Sequence, residues 1–245
     1  MSGRTAEKAM SIMELCTKTE RVTQEAAHRG WKTFSPITIE TGYDLTTPEG
    51  IKKGWEQLYK TRPDVVVIAW PCNPWSSWQR INLAKADGDK ARLEKILSVR
   101  RAHRKLTKFC SEVMKWQAAR GAYFVCENPV QSEAWKLPEF SWLFSTTGVT
   151  TWVTDMRQYN LRDPVSGLYY RKATRLVSNV PSMESSLSDR CWESTFPHDH
   201  QVIMGSTRYE KIDRWPVVFL QVGTHVSVAP GCCLLLKIMS GGNRL

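Results

Sequence analysis

Apolar runs alternate with amphipathic stretches along the first half of the chain. Residues 64–70 contain a continuous β-branched run, which is typical of a strand buried on both faces of a parallel sheet. Residues 87–121 follow with helical spacing, and residues 122–126 predict the next buried strand. Strand, helix and strand in this order predict a right-handed crossover unit. The stripe of this helix comprises Leu93, Ile96, Val99, Ala102, Leu106, Phe109, Val113, Met114 and Gln117.

Two further strand–helix pairs precede this unit. Residues 11–15 and 33–39 predict strands, and residues 19–29 and 47–60 predict helices, the second of which starts at a Thr-Pro-Glu signal. The order β-α-β-α-β-α-β predicts an α/β fold of the Rossmann-like, doubly wound type, with a mostly parallel sheet.

After residue 129 the pattern breaks into short pieces punctuated by Pro and Trp. We expect an N-terminal extension over residues 1–10 and one main domain over residues 11–220. Residues 221–245 form a tail that fits no element pattern.

The charge of the chain is strongly basic and unevenly spread. The 245 residues include 34 basic and 24 acidic side chains, and thirteen of the basic residues but six of the acidic ones lie between 61 and 130. This excess of positive charge suggests that the protein binds a polyanion, most simply a nucleic acid. The alternative is that the basic residues form a helix face that is exposed only to solvent. The sequence has no apolar run long enough for a membrane helix and no signal-like N-terminus, and its seven cysteines are scattered. We expect an intracellular protein, nuclear in a eukaryotic cell.

Two polar segments directly follow the two buried strands. Trp70-Pro71-Cys72-Asn73-Pro74-Trp75-Ser76 follows the first, and Glu127-Asn128-Pro129 follows the second. Ligands of doubly wound sheets bind beyond the carboxyl ends of the strands, and strands joined by one crossover often lie side by side. We therefore expect Cys72 and Glu127 to face one pocket, as nucleophile and acid. The prolines fix the backbone and hold the Cys72 loop in a non-helical shape.

These segments resemble motifs of the DNA cytosine-5 methyltransferases. Residues 71–76 resemble their Pro-Cys nucleophile loop, and Glu127-Asn128-Pro129 resembles their Glu-Asn-Val motif with Pro in place of Val. Residues 171–178 resemble the basic motif usually written Gln-x-Arg-x-Arg. Residues 13–16 and 25–31 resemble the first strand and helix, which bind the cofactor. The resemblance covers roughly residues 11–220 and is closest to divergent domains in protist retroelement proteins.

The resemblance implies transfer of a methyl group from S-adenosyl-L-methionine to C5 of cytosine in DNA, through a covalent cysteine intermediate. Cys72 is then the nucleophile, Glu127 binds N3, and Arg175 and Arg171 support the same ring. The role of Glu127 requires an acid form that survives near neutral pH, which partial burial favours. The cofactor candidates are Glu14, Leu15, Glu40, Asp44 and Pro71. The substrate candidates are Asn73, Trp75, Ser76, Asn128, Arg101 and Arg104.

Two departures from the family pattern keep other functions open. Residues 16–21 stand where the family has a glycine-rich loop, and too few residues follow Arg175 for a conventional target-recognition domain. We therefore do not expect sequence-specific reading of duplex DNA by this chain alone. One alternative is a catalytically inactive nucleic-acid-binding module of a mobile element, which would use the basic segment 92–115. The other is an RNA cytosine methyltransferase.

Two further groups of residues suggest ligand chemistry less specifically. Trp70, Trp75 and Trp78 lie near the Cys72 loop, where an indole could stack on an unpaired base, although core packing is the commoner role. Zinc-ligand residue types recur at Cys191, His198 and His200, with Cys232 and Cys233 downstream. Their spacing matches no standard zinc finger, and we expect no metal.

Overall fold

The computed structural model describes residues 9–159, 161, 166–170, 172–181 and 183–187. The domain boundary predicted at residue 220 and the tail over 221–245 lie outside these residues. The described strands are β1 (Ser11–Leu15), β2 (Lys32–Thr33), β3 (Val65–Ile68), β4 (Tyr123–Pro129), β5 (Thr150–Asp155) and β6 (Ala173–Ser178). The described α-helices are α1 (Arg21–His28), α2 (Pro48–Thr61), α3 (Trp78–Ala84), α4 (Lys90–Ala119) and α5 (Met183–Leu187).

The six strands form one sheet in the order β2-β1-β3-β4-β6-β5. The first four strands of this order run parallel, and β6 is antiparallel to both of its neighbours, β4 and β5. The predicted α/β fold of the Rossmann-like, doubly wound type with a mostly parallel sheet is confirmed. β1 lies between β2 and β3, so the chain reverses its direction of winding there, as a doubly wound sheet requires.

Apolar side chains cover both faces of the sheet. Alternate residues of each strand point to opposite faces, so Val66 and Ile68 pack on one side while Val65 packs on the other. The first core includes Leu58 of α2 and Phe109 of α4. The second core lies under α1 and α5 and is built from Ile12, Ala26, Val65, Val125, Trp152, Leu176 and Leu187, among others. Helices on both faces explain why β3 is apolar at every position.

The two main helices begin at caps that the sequence provides. The hydroxyl of Thr47 accepts a hydrogen bond from Gly50 N at 3.1 Å, and the carboxylate of Asp89 accepts one from Arg92 N at 3.0 Å. A Cβ atom at position 50 would lie 1.9 Å from the carbonyl oxygen of Asp44, so the loop before α2 packs against this helix as only glycine permits. α4 ends at Ala119, and Gly121, two residues beyond its last residue, has a φ of 69°.

The second strand is much shorter than the predicted 33–39. Phe34 N donates to Ile12 O and Ile37 N donates to Glu14 O, so the chain still runs beside β1 beyond Thr33. Pro36 has no N–H to donate, which interrupts the ladder between these contacts. A 3-10 helix, Ile39–Thr41, then replaces the end of the predicted strand.

The long helix is amphipathic only in its second half. Leu106, Phe109, Val113 and Met114 of the predicted stripe are buried, whereas Leu93 and Val99 are exposed. No helix in the described part of the chain combines the length and apolar character needed to cross a bilayer.

Candidate active site

The loop after β3 presents the Cys72 thiol at the carboxyl edge of the sheet. Cys72 precedes a 3-10 helix, Asn73–Trp75, and its carbonyl oxygen accepts a hydrogen bond from Trp75 N at 2.9 Å. Pro74 and Trp75 are buried beneath the loop, while Pro71 and Asn73 are exposed. Cys72 itself is partly buried. The loop is therefore anchored by its second proline and its tryptophan, and the thiol lies above them.

Arg100 of α4 attaches this loop to the rest of the domain. Its Nε donates to the carbonyl oxygen of Pro74 at 3.0 Å, and its guanidinium lies 5.7 Å from the ring centre of Trp75. Its Nη2 also donates to the Glu133 carboxylate at 3.0 Å, and Arg80 Nε donates to the other oxygen of Glu133 at 2.7 Å. Glu133 follows β4 closely, so this network links the two segments that carry Cys72 and Glu127.

Glu127 lies near the carboxyl end of β4, the parallel neighbour of β3. Ile68 is paired with Cys126 in the ladder, so Cys72 and Glu127 both follow the last paired residues. The Oε2 atom of Glu127 is buried and has no hydrogen-bond partner among the described residues. Burial raises the pKa of this carboxyl from 4.5 to about 7, although the positive charge of Lys172 opposes the rise. The carboxyl therefore keeps a large acid fraction at neutral pH.

The negative charge of the Glu127 carboxyl acts on the Cys72 thiol. Burial raises the pKa of the Cys72 thiol, and the negative charge of Glu127 raises it further, while the positive charge of Lys172 lowers it. A protonated Glu127 removes the repulsion, so a proton on the carboxyl favours a thiolate on the sulfur. Such a coupled pair is suited to one nucleophile and one acid acting together.

Lys172 is a further candidate residue, because its charge acts on both Cys72 and Glu127. The antiparallel ladder places Leu176 opposite Glu127, and alternation along β6 gives Thr174 and Lys172 the same face as Leu176. Thr174 is fully buried, and its Oγ1 has no hydrogen-bond partner among the described residues. The register of β6 against β4 therefore places Lys172, and not Arg175, on the face of Glu127. The sequence contains no signal for that register.

Arg175 occupies the other face of β6. It is paired with Asn128, and its guanidinium lies 5.7 Å from the ring centres of both Trp135 and Phe144. Asn128 is buried and donates through Nδ2 to the carbonyl oxygen of Trp70 at 2.8 Å, which ties β4 to the start of the Cys72 loop. Asn128 therefore connects β4 with the start of the Cys72 loop through this hydrogen bond. Arg171 lies outside the described residues.

The acidic residue of β1 faces the first helix. Glu14 is buried, and its Oε1 accepts a hydrogen bond from Thr23 N at 2.5 Å. Burial raises the pKa of this carboxyl, while hydrogen bonds from Thr17 and from α1 oppose the rise. Glu14 thus caps the N-terminus of α1, a role that Glu20 does not perform. Leu15 is a core residue and lies in the first apolar cluster.

The loop between β1 and α1 keeps a glycine-like backbone without glycine. Cys16 has a φ of 60° and Glu20 a φ of 51°, both in the left-handed region that favours glycine. The Sγ atom of Cys16 lies 3.9 Å from that of Cys110, and both are free thiols. The loop therefore has the turns of a glycine-rich loop, but it also has side chains that a glycine loop lacks.

The other two acidic cofactor candidates have local partners. The carboxylate of Glu40 accepts a hydrogen bond from the hydroxyl of Thr38, within an exposed turn. Asp44 accepts from Thr46 N at 3.0 Å and Thr46 Oγ1 at 2.6 Å, and these hydrogen bonds lower its pKa. Both carboxylates shape the turns that lead from β2 to α2.

The substrate candidates separate into buried and exposed groups. Trp75 is buried, as is Trp70, which stacks on Phe140. Asn73 is exposed, and the hydroxyl of Ser76 accepts a hydrogen bond from Trp78 N at 3.2 Å. Arg101 and Arg104 are exposed on α4, where they form ion pairs with Glu94 and Glu139. Their contact with nucleic acid remains a prediction.

The described residues contain no group of three His, Cys, Asp or Glu side chains that could hold a metal ion. The zinc candidates Cys191, His198 and His200, together with Cys232 and Cys233, lie outside the described residues.

Comparison with known proteins includes a weak likeness to a solved structure. No protein-family model matches the sequence, and no curated protein matches it. Among solved structures, the chain is similar to the Entamoeba histolytica methyltransferase EhMeth, with a TM-score of 0.39 and 10% sequence identity. The likeness covers 82% of this chain and 58% of the length of that methyltransferase.

Proposed function

We propose that this chain is an S-adenosyl-L-methionine-dependent methyltransferase that acts on C5 of cytosine in DNA, through a covalent intermediate on Cys72. The observation that carries the proposal is the coupled pair at the carboxyl ends of β3 and β4. A partly buried thiol follows β3, and a carboxyl with a pKa of about 7 lies near the end of β4, the parallel neighbour of β3. The motifs around both residues resemble those of the cytosine-5 methyltransferases.

Two buried polar atoms beside this pair support a ligand with hydrogen-bonding groups. Glu127 Oε2 and Thr174 Oγ1 both lack a hydrogen-bond partner among the described residues. Buried polar atoms in folded proteins almost always have partners, because an unpaired one costs about 1–3 kcal/mol. A cytosine ring has both donors and acceptors at its edge, so it can satisfy such atoms.

In the proposed reaction, the two side chains act at opposite sides of the same ring. The Cys72 thiol gives its proton to solvent, the sulfur bonds to C6, the C5–C6 double bond opens, and electron density moves to C5 and N3. Protonated Glu127 gives its proton to N3 and so neutralises the charge that develops there. Once C5 carries the methyl group, water takes the C5 proton and the C5–C6 double bond re-forms. The sulfur leaves C6 as a thiolate and regains a proton from solvent. The N3 proton returns to Glu127, which restores the starting protein.

The methyl donor would be held by the loop between β1 and α1. When bound, S-adenosyl-L-methionine supplies an electrophilic methyl group. The Nε atom of Arg21, the first residue of α1, is buried without an acceptor among the described residues. A buried guanidinium nitrogen without an acceptor suits a carboxylate such as that of the methionine part of the cofactor. The left-handed backbone at Cys16 and Glu20 makes the turn that a close approach to the cofactor needs.

Trapping with 5-fluorocytosine tests the covalent step. When fluorine replaces the C5 hydrogen, there is no proton to lose after methylation, so the sulfur cannot leave. We expect the protein, with S-adenosyl-L-methionine and a 5-fluorocytosine DNA oligonucleotide, to give an adduct that survives denaturation. Cys72→Ser should abolish the adduct, because a hydroxyl provides almost no anion at neutral pH. Glu127→Gln should strongly reduce it, because an amide cannot protonate N3.

Cys126→Ala is the matched control for this experiment. The thiol of Cys126 is fully buried and packs in the first core, on the opposite face of β4 from Glu127. Its removal should leave the adduct intact. If the wild-type protein binds both the cofactor and the oligonucleotide but forms no adduct, Cys72 is not a nucleophile. The chain would then be better described as a nucleic-acid-binding module.

A further inference from the structure

The short helix after the Cys72 loop exposes two large apolar side chains. Trp78 is 59% exposed and Ile81 is 45% exposed, whereas Trp70 and Trp75 are 2% and 5% exposed. Trp78 makes no ring contact with another described residue. A tryptophan this exposed is unusual, because burying an indole is among the larger gains in folding. Of the three tryptophans near the loop, Trp78 is therefore the one free to contact a ligand.

The exposed side chains and a lysine share one side of α3. Trp78, Ile81 and Lys85 are spaced by three and four residues, which places them in a row along the helix. Lys85 is exposed and forms no ion pair with a described residue. Arg80 is on a different side of α3 and forms an ion pair with Glu133. This ion pair attaches α3 to the domain and leaves Trp78, Ile81 and Lys85 accessible.

The region around this row is strongly basic. Between Trp78 and Lys108 there are ten basic and three acidic side chains. Lys90, Arg92 and Lys95 are exposed at the start of α4 and form no ion pair with a described residue. Two copies of such a basic surface repel each other, so a second copy of the chain is a poor occupant. An aromatic side chain beside unpaired cations suits a single nucleic-acid strand, because its bases can stack on the ring and the cations can neutralise its phosphates.

Hydrogen bonds hold α3 in a fixed place beside the nucleophile. Gln79 Nε2 donates to the carbonyl oxygen of Asn73 at 3.1 Å, and Trp78 N donates to Ser76 Oγ at 3.2 Å. Trp78 is six residues from Cys72, so their Cα atoms are at most about 20 Å apart. A strand whose target base reaches Cys72 can therefore reach Trp78 with a nucleotide only a few positions away.

We propose that the row of Trp78, Ile81 and Lys85 binds single-stranded DNA next to the target cytosine, with the Trp78 indole stacked on a flanking base. The assignment rests on the proposed function for the choice of DNA and for the position of the target base. The same surface selects unpaired DNA over a duplex, because the face of a base is available for stacking only when its neighbours are displaced.

The test is fluorescence anisotropy with a short fluorescein-labelled single-stranded DNA oligonucleotide that contains one cytosine. Trp78→Ala should weaken binding about tenfold, since stacking on an aromatic side chain contributes on the order of 1–3 kcal/mol per base. Trp78→Phe should keep most of the affinity, because the ring is kept. Tyr59→Ala removes another exposed aromatic side chain, on α2, and should leave binding unchanged. Circular dichroism of each variant separates loss of stacking from loss of folding.

Abasic nucleotides identify the stacked base. When the base that contacts Trp78 is deleted, Trp78→Ala should have no further effect, while deletion of other bases should leave the tenfold loss in place. Equal binding by the wild type and Trp78→Ala would overturn the proposal, as would tighter binding of duplex DNA or of the same sequence as RNA. Binding uses no chemistry at Cys72, so a missing 5-fluorocytosine adduct would refute the methyltransferase and leave the stacking surface standing.

Discussion

Arg100 Nε and the carbonyl oxygen of Pro74 are joined by a 3.0 Å hydrogen bond between α4 and the loop that carries Cys72. The same guanidinium donates to Glu133, which follows the strand that carries Glu127. One side chain therefore fixes the two chain segments of the candidate site relative to each other. A nucleophile and an acid that act on one ring need such fixed geometry, because small misplacements reduce rates strongly.

We predict that Arg100→Met detaches the Cys72 loop from α4 and from Glu133. The side chain of Arg100 is only 20% exposed, so its loss removes the hydrogen bonds to Glu133 Oε2 and Pro74 O and should cost about 1–3 kcal/mol of unfolding free energy. Adduct formation with 5-fluorocytosine DNA should slow more than tenfold, while affinity for S-adenosyl-L-methionine is retained. Chemical denaturation measures the stability, the adduct yield over time measures the rate, and calorimetry measures the affinity for the cofactor.

Arg101→Met is the matched control for the Arg100 variant. Arg101 is 62% exposed and its ion pair with Glu94 lies in solvent, so its loss should change stability by less than about 0.5 kcal/mol. If both variants lose the same amount of stability, the Arg100 network does not hold the Cys72 loop.

We predict that Glu127→Gln stabilises the protein at alkaline pH. The folded state raises the pKa of Glu127 from 4.5 to about 7, so it holds a proton that the unfolded chain releases. Wild-type stability therefore falls as pH rises between these values, by up to roughly 3 kcal/mol. Glutamine never ionises, so the variant should be more stable above pH 7 and equal to the wild type below about pH 4.5. Urea unfolding at several pH values measures the difference.

Glu133→Gln gives the opposite pH dependence and serves as the control. Hydrogen bonds and charge from Arg80 and Arg100 lower the pKa of Glu133. Its contribution to stability is present above the pKa of the unfolded carboxyl and disappears as pH falls. The variant should therefore be less stable than the wild type at neutral pH, with the deficit vanishing in acid. If both variants were more stable than the wild type at alkaline pH, the gain could not be attributed to the burial of Glu127.

The sequence predicts the strands and helices that carry the candidate site because each has a strong local signal. β3 is a run of β-branched residues, α4 has a helical apolar stripe, and β4 follows its terminating glycine. The second strand was predicted too long, because Pro36 breaks the ladder while the apolar pattern continues across it. Cys72 and Glu127 could be paired in advance because adjacent parallel strands end at the same edge.

The residues that contact the Cys72 loop and Glu127 cannot be predicted from a local sequence pattern, because they depend on tertiary contacts. Arg100 and Arg101 are neighbours in a run of basic residues, yet only Arg100 is turned toward the Cys72 loop. Lys172 rather than Arg175 interacts with both Cys72 and Glu127, because the register of β6 against β4 decides which face each residue occupies. Glu14 has the position of a cofactor ligand, but its carboxylate caps α1.

We predict that Glu20→Gly stabilises the β1–α1 loop. Glu20 has a φ of 51° and its side chain forms no capping hydrogen bond, so its left-handed backbone is strained without compensation. Glycine relieves about 1–2 kcal/mol of strain but adds entropy to the unfolded chain, which leaves a net gain of about 0.5–1 kcal/mol. Gln24→Gly, inside α1, should instead destabilise the protein by about 1 kcal/mol. Thermal unfolding of both variants checks the contrast in sign.

The last prediction concerns the charge of Lys172. Its positive charge lowers the pKa of the Cys72 thiol and of the Glu127 carboxyl, against the effect of burial. Lys172→Met should therefore raise the pKa of Cys72, so that iodoacetamide modifies this thiol more slowly at a fixed pH near 8 and its rate profile moves to higher pH. Mass mapping of the Cys72 peptide isolates this thiol from Cys16, Cys110 and Cys126. Lys172→Arg keeps the charge and should restore the wild-type profile, whereas a profile unmoved by Lys172→Met would show that Lys172 does not act on the thiol.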